Sequence, residues 1–392
     1  PPPPPQAPSA APATQTEQAL GDPDGLARLF HLLILNRDSG ASGASAASAV
    51  PPPRRSASAH RRGASPLLTG AGMALSLLGR TLSYARYRLF LANTERGGSR
   101  SNIEKHYDLS NELFQAFLDE ETMMYSSAVW DAGPNGCWRG TLGEAQNRKL
   151  NLLCDRAGIK EGQRVLDVGF GWGGLAIHAA RSYGCEIVGI TLSVEQCELA
   201  TEKVRAAGLA DRVTFEIVDY RTFARRPENR EAFDAVLSCE MIEAVGHANL
   251  PSFFAAVQSV MKPEGRLVME AITTPESRYE VYRRSTDYIN TVIFPGSCCP
   301  SLHALVSASY EGSTMTLHSV QNIGLHYAET LREWRRRFNR ADVGAMGFDD
   351  GFRRAWNYYL AYCEAGFESE TENCLVLVFG GEGFKGQRAA LE

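Results

Sequence analysis

From Ser101 onward the chain alternates two hydrophobic periods. Five short aliphatic runs stand out: Arg164–Gly169, Glu186–Ile190, Val213–Val218, Phe233–Ser238 and Arg266–Ile272. Between them, at about 173–183, 194–207 and 249–261, apolar residues recur at helical spacing. Short apolar runs without alternation read as strands buried on both faces, and the alternation with helices predicts an α/β fold with a parallel, doubly wound sheet. Ser193, followed three residues on by Gln196, is the capping-box pattern that opens one of these helices. Upstream, Asn102–Leu118 and Thr141–Ala157 read as helices. Residues 274–312 interrupt the alternation with an aromatic-rich, largely helical insertion. A strand near Thr314–Val320, helices near 328–340 and 349–366, and a strand at Cys374–Phe379 close the pattern.

Before Ser101 the pattern thins. Residues 1–15 are rich in Pro and Ala, and between Asn36 and Pro66 Val50 is the only large aliphatic residue. Such a stretch buries too little apolar area to offset its chain entropy, so residues 1–65 are expected to be a disordered low-complexity segment and linker, removable without loss of folded protein. In 66–100, Leu75, Leu78, Leu82, Tyr84 and Leu89 recur at helical spacing with Arg80, Arg86 and Arg88 between them. That is a basic amphipathic segment, suited either to a lipid surface or to packing on the main domain with its Arg in water.

Charge sharpens this division. The first hundred residues carry eleven Arg and no Lys against five acids, while the whole chain has a net charge of −5, so the body after residue 100 is acidic. An acidic body argues against nucleic acid as a partner, and a basic head suits an anionic surface. The best apolar runs, Leu26–Leu35 and Leu67–Leu78, fall short of the roughly 18 residues of a membrane span. Nine Cys without a CxxC pair, and eight His without ligand spacing, fit neither a disulfide framework nor a metal site and point to a reducing, intracellular compartment. A first residue of Pro rather than Met makes the chain read as a C-terminal portion, with any targeting signal and the organelle undetermined.

The first strand runs into Val165-Leu-Asp-Val-Gly169-Phe-Gly171-Trp-Gly173-Gly174. A glycine-rich turn between strand and helix lets a ligand approach the backbone at the carboxyl edge of the sheet. Gly169, Gly171 and Gly174 satisfy GxGxxG, so a dinucleotide site is one reading. Asp167 just before the turn favours S-adenosylmethionine, and the second strand ends in Gly189-Ile-Thr191-Leu192-Ser193 without the acid that holds an NAD ribose. In that reading Thr191, Leu192 and Gln196 line the ribose, and Asp219-Tyr220 approach the adenine.

Eight motifs occur in a fixed order. They are His106-Tyr-Asp-Leu-Ser-Asn111, Met124-Tyr125-Ser126-Ser127-Ala128, the glycine loop, Gly189–Gln196, Glu240-Met-Ile-Glu243-Ala-Val-Gly246, Tyr288–Pro300, and Asn322–Tyr327 with Tyr358–Cys363. Together they resemble the cyclopropane-fatty-acyl-phospholipid synthase family, nearest its plant and algal branch, over about residues 85–379. The resemblance implies a Rossmann-like class I methyltransferase fold with a helical N-terminal cap, one methyltransferase domain over 101–392, and a lipid-binding insertion at 274–312. It also implies methyl transfer from S-adenosylmethionine to the cis double bond of a phospholipid acyl chain at a membrane surface, followed by ring closure. The oligomeric state, a homodimer included, is left open.

By the same resemblance Tyr125 and Ser126 contact the cofactor, along with Asp167, Gly169, Gly171 and Gly173. The family's base site holds bicarbonate on a Cys, a Glu, a His, a backbone Ile and a Tyr, which fall here on Ser127, Glu243, Glu270, Ile272 and Tyr327. Cys363 matches a Cys discussed as catalytic. A carboxylate at 270 would repel bicarbonate, so Glu270 is expected to take the anion's place as the base, steadied by Tyr327. Two other outcomes stay open: a methylene- or methyl-branched product, and a lipid-binding pseudoenzyme.

Overall fold

The structure, a computed structural model, describes residues 23–42 and 109–384. Seven strands form one sheet: β1 (Arg164–Val168), β2 (Glu186–Thr191), β3 (Val213–Ile217), β4 (Phe233–Cys239), β5 (Met261–Thr273), β6 (Thr316–Asn322) and β7 (Asn373–Gly380). Their spatial order is β3-β2-β1-β4-β5-β7-β6. The first five are parallel, and β7 runs antiparallel between β5 and β6. The order reverses beside β1, where an open α/β sheet leaves a crevice at its carboxyl edge.

Alternate strand positions feed two cores. Val165, Leu237, Val268 and Val376 face one side, covered by α3 (Leu142–Ala157), α4 (Gly174–Tyr183), α9 (Gly324–Arg340) and α10 (Asp350–Glu368). Leu166, Val236, Leu267 and Leu377 face the other, under α6 (Leu250–Val260) and α8 (Leu302–Gly312). α5 (Val194–Ala206) opens on Ser193, whose Oγ accepts from the Gln196 amide. α7 (Glu276–Tyr282) begins the insertion, and α2 (Asn111–Phe117) packs Leu113, Phe114 and Phe117 into the first core.

The expected strands and helices after Ser126 are found within a few residues of their expected ends. The largest difference is β5, which starts at Met261 rather than Arg266. The expected amphipathic segment 66–100 and the start of the first helix lie outside the described residues. The disordered reading of 1–65 is corrected over part of its length: Pro23–Ser42 is a helix, α1. Phe30 lies edge-on to Tyr358 and Tyr362 of α10, and Asp24 pairs with Arg335 of α9 at 2.9 Å. Composition averaged over the whole stretch hid the one run, Leu26–Leu35, that can recover its ordering entropy by docking. Among the described residues no helix is long and apolar enough to cross a membrane.

Candidate active site

Two cavities meet at the carboxyl ends of β1, β2 and β4. The smaller, about 150 Å³, is bordered by Asp167, Gly169 and Gly171 of the glycine loop, by Thr191, Leu192 and Gln196 after β2, and by Tyr125, Ser126 and Tyr220. Gly169 and Gly171 hold left-handed backbone at φ +84° and +55°, and a Cβ at Gly171 would project into open space. The Asp167 carboxyl is buried with both oxygens unpartnered among the described residues, and that burial lifts its pKa to about 7. An unsatisfied acid and a cradle that any side chain would fill fit a polar cofactor at this edge.

Two residues expected at the cofactor do not border this cavity. Asp219 does not border the cavity: its carboxylate forks onto Arg221 at 2.7–2.8 Å and caps the short turn that follows. Gly173 also stands back; it is the N-cap of α4 at φ +81°, and a Cβ there would press on Ala200 and the Phe215 ring at 3.1 Å.

The larger cavity, about 290 Å³, is walled by the insertion, α9, α10 and Ile34 of α1. Glu243, Tyr327, Cys363 and Ile272 line it, and the rings of Phe294 and Tyr359 add aromatic faces. Glu243 Oε1 accepts the Ile272 amide at 2.6 Å while its buried Oε2 has no partner among the described residues. Desolvation raises the Glu243 pKa to about 7, against the opposing hydrogen bond from Ile272. Desolvation likewise pushes the Cys363 thiol well up, aided by Asp287 and Glu372, so it stands as a neutral wall rather than a nucleophile.

Tyr125, Glu240 and Ala244 border both cavities. Glu240, within a quoted motif but not singled out there, is the residue that sequence reasoning passed over. It follows β4 at φ +47°, an uncommon conformation for a side chain other than glycine's, which turns its carboxyl into the boundary. Its Oε1 accepts the Ser127 amide at 2.8 Å, and Tyr327 Oη donates to its Oε2 at 2.6 Å. Burial raises its pKa well above the usual range, helped by the charges of Glu270 and Glu243 and opposed by the hydrogen bonds from Tyr327 and Ser127.

Glu270 does not hold the position expected of it. It is fully buried, borders neither cavity, and is not the partner of Tyr327. Its parity on β5 turns it under α3, where Lys149 Nζ lies 3.6 Å from its Oε2 and the Cys239 thiol donates to it at 3.2 Å. Burial disfavours the Lys149 ammonium, but the neighbouring Cys239 and Glu270 outweigh it and keep it charged. Lys149 also donates to Ser126 Oγ, which faces the smaller cavity. Ser127 is buried too and borders neither cavity; its hydroxyl donates to Ala128 O. A signal for Lys149 existed: it shares the α3 stripe of Leu142, Gln146, Leu150 and Leu153, where a charged residue needs a buried partner. Glu240, Glu270 and Cys374 bring three donor atoms within 4.8 Å, but the Lys149 ammonium already supplies positive charge there.

Comparison with known proteins follows the same outline. The family model for mycolic acid cyclopropane synthetase matches residues 94–377. The chain is 41% identical over 309 residues to tuberculostearic acid methyltransferase UfaA1 of Mycobacterium tuberculosis, covering 76% of this chain and 70% of that protein. It is 35% identical over 302 residues to cyclopropane-fatty-acyl-phospholipid synthase of Escherichia coli, covering 76% and 72%. Among solved structures, the cyclopropane synthase MmaA2 from Mycobacterium tuberculosis aligns with TM-score 0.64 at 25% identity, covering 72% of this chain and 98% of that one. Mycolic acid cyclopropane synthase CmaA1, complexed with SAH and CTAB, aligns with TM-score 0.63 at 26% identity and the same coverage.

Proposed function

The chain belongs to the mycolic acid cyclopropane synthetase family, and from that premise we propose that it methylates the cis double bond of an unsaturated phospholipid acyl chain and closes a cyclopropane ring. It is an S-adenosylmethionine-dependent, lipid-modifying methyltransferase. One observation carries the finer reading: Glu240 lies on the boundary between a polar cavity with an unsatisfied acid and an apolar, aromatic-walled one.

The residues divide the work. Asp167, the glycine loop, Thr191 and Gln196 would hold the cofactor, and the insertion with α9 and α10 would hold the acyl chain. When bound, S-adenosylmethionine supplies an electrophilic methyl group and a positive sulfonium, whose charge favours the carboxylate form of Glu240. An isolated alkene is a weak nucleophile, so holding it in line at the boundary is the first task. Methylation leaves a cation on the acyl chain. Tyr125, Phe294 and Tyr359 offer ring faces worth roughly 0.5–2 kcal/mol each to such a cation and keep water away. Glu240, oriented by Tyr327 and the Ser127 amide, then takes a proton from the added methyl group, and the freed electron pair closes the ring. Its carboxylate thus does what a bound bicarbonate would otherwise do.

A second reading has its own support, the 41% identity to a protein named a tuberculostearic acid methyltransferase. A 1,2-hydride shift that moves the cation onto the methyl-bearing carbon, followed by proton loss from the added methyl, would give an exomethylene in place of a ring, and a separate reductant could convert that to a methyl branch. The experiment is to incubate the purified chain with S-adenosylmethionine and a cis-monounsaturated phospholipid and to analyse the product acyl chain by NMR. Upfield cyclopropyl protons support the first reading, vinylidene protons support the second, and an unmodified chain refutes both.

A further inference from the structure

Helix α1 is apolar on two faces and, among the described residues, covered on one. Its inner face carries Ala27, Phe30 and Ile34; Ala27 is buried, Phe30 stacks edge-on against α10, and Ile34 forms part of the wall of the larger cavity. Asp24 and His31, on the same face, fix it to Arg335 and Glu368. At 100° per residue Leu29 and Leu33 fall on the opposite side, where they are 38% and 57% exposed beside the exposed Arg28. A helix apolar all round is ordinarily buried all round, so the outer leucines mark a second apolar partner.

What that partner is follows from what α1 covers. The exposed apolar surface recurs on the insertion that walls the same cavity: Val281 beside the lining residue Tyr282, and Val292 between the lining residues Ile289 and Phe294, are 63% and 58% exposed. A cavity that receives an acyl chain must meet the bilayer from which that chain comes. We propose that α1 is a lid over the acyl cavity that docks on the lipid surface through Leu29 and Leu33, with Arg28 against anionic headgroups, so that an acyl chain enters beside Ile34. The inference rests on the acyl-chain reading of the larger cavity. The lid lies outside the matched family region, which begins at residue 94. An interfacial helix of this kind sinks its apolar face to the boundary between headgroups and acyl chains and holds weakly and reversibly, as a lid that releases product requires.

The test compares the full chain with its Leu29→Gln/Leu33→Gln variant in two lipid formats. In sedimentation with dioleoylphosphatidylglycerol vesicles, the variant is expected to partition about tenfold more weakly, the loss of roughly 1.4 kcal/mol of apolar burial. Its turnover on vesicles should fall in parallel, while its melting temperature and its turnover on detergent-dispersed lipid stay as in the native chain. Arg28→Gln should weaken vesicle partitioning at low salt only. Equal partitioning of native and variant protein overturns the proposal. So does a change in oligomeric state, which would assign the face to a second copy, or a loss of micellar turnover at unchanged melting temperature. If the native chain methylates no lipid in either format, the proposed function fails, whereas vesicle partitioning still judges the lid.

Discussion

Glu240, just past the end of β4, donates its amide to the carbonyl of Glu270 on the neighbouring β5, yet their surroundings give the two side chains opposite tasks. Glu270 neutralises a buried ammonium, whereas Glu240 faces two cavities and is oriented by a phenol, an amide and, more distantly, the Cys374 thiol. Removing one member of a buried ion pair typically costs about 3–5 kcal/mol, because the other charge is left uncompensated. Glu270→Gln should therefore lower stability by that order in a denaturant titration, and Glu270→Gln/Lys149→Met should recover most of it. A Glu270→Gln protein of native stability and no activity would instead restore the base role that the sequence suggested. In the smaller cavity Gly171→Val should abolish S-adenosylmethionine binding in calorimetric titration, since its side chain would fill the open cradle. Gln196→Ala should weaken binding by about 1 kcal/mol, the net worth of one hydrogen bond. Unchanged affinity in both would refute the cofactor assignment. Glu243, Tyr327 and the glycine loop were legible because motifs carry residue identity. The swap between Glu240 and Glu270 was not, because it turns on side-chain direction: a left-handed backbone at Glu240 and strand parity at Glu270.

At the scale of elements, periodicity read the main domain well because the central strands β1, β4 and β7 are buried on both faces and the helices around them on one, so the core itself writes the pattern. It failed for α1, whose helix is stabilised by a face of α10 more than three hundred residues away, a contact that no local window contains. That docking makes a prediction opposite to the one composition suggests. Deleting residues 1–42 should expose the Tyr358 and Tyr362 faces, leave Arg335 with Glu364 alone, and open the wall at Ile34. The shortened protein is expected to melt at lower temperature and to show a raised KM for dispersed lipid. Native melting and native KM would return the segment to the status of a linker.

For the molecule as a whole, the site sets a cost that pH reveals. Glu243, Asp167 and Glu372 each have a folded pKa raised to about 7, in every case chiefly by desolvation. A raised carboxyl pKa means the folded state holds the proton more tightly than the unfolded chain. The stability it contributes is full below the unfolded value near 4.5 for Glu and 3.8 for Asp, and is lost as pH rises through about 7. The melting temperature of the ligand-free chain should therefore fall between pH 5 and pH 8 on a differential scanning calorimeter, by about 3 kcal/mol of stability for Glu243 alone. Glu243→Gln should flatten that slope, and a pH-independent melt would contradict the burial of these acids. Activity should run the other way, rising with pH, because burial holds the Glu240 pKa well above the usual carboxyl range and a proton acceptor must first be unprotonated. The most direct measurement is turnover on a cis-monounsaturated phospholipid in bicarbonate-depleted buffer, comparing the native chain with Glu240→Gln. The account predicts native turnover indifferent to added bicarbonate, and a variant that folds and binds S-adenosylmethionine but is slowed about 10²–10⁴-fold. Strong activation of the native chain by bicarbonate, or a fully active Glu240→Gln, would contradict it.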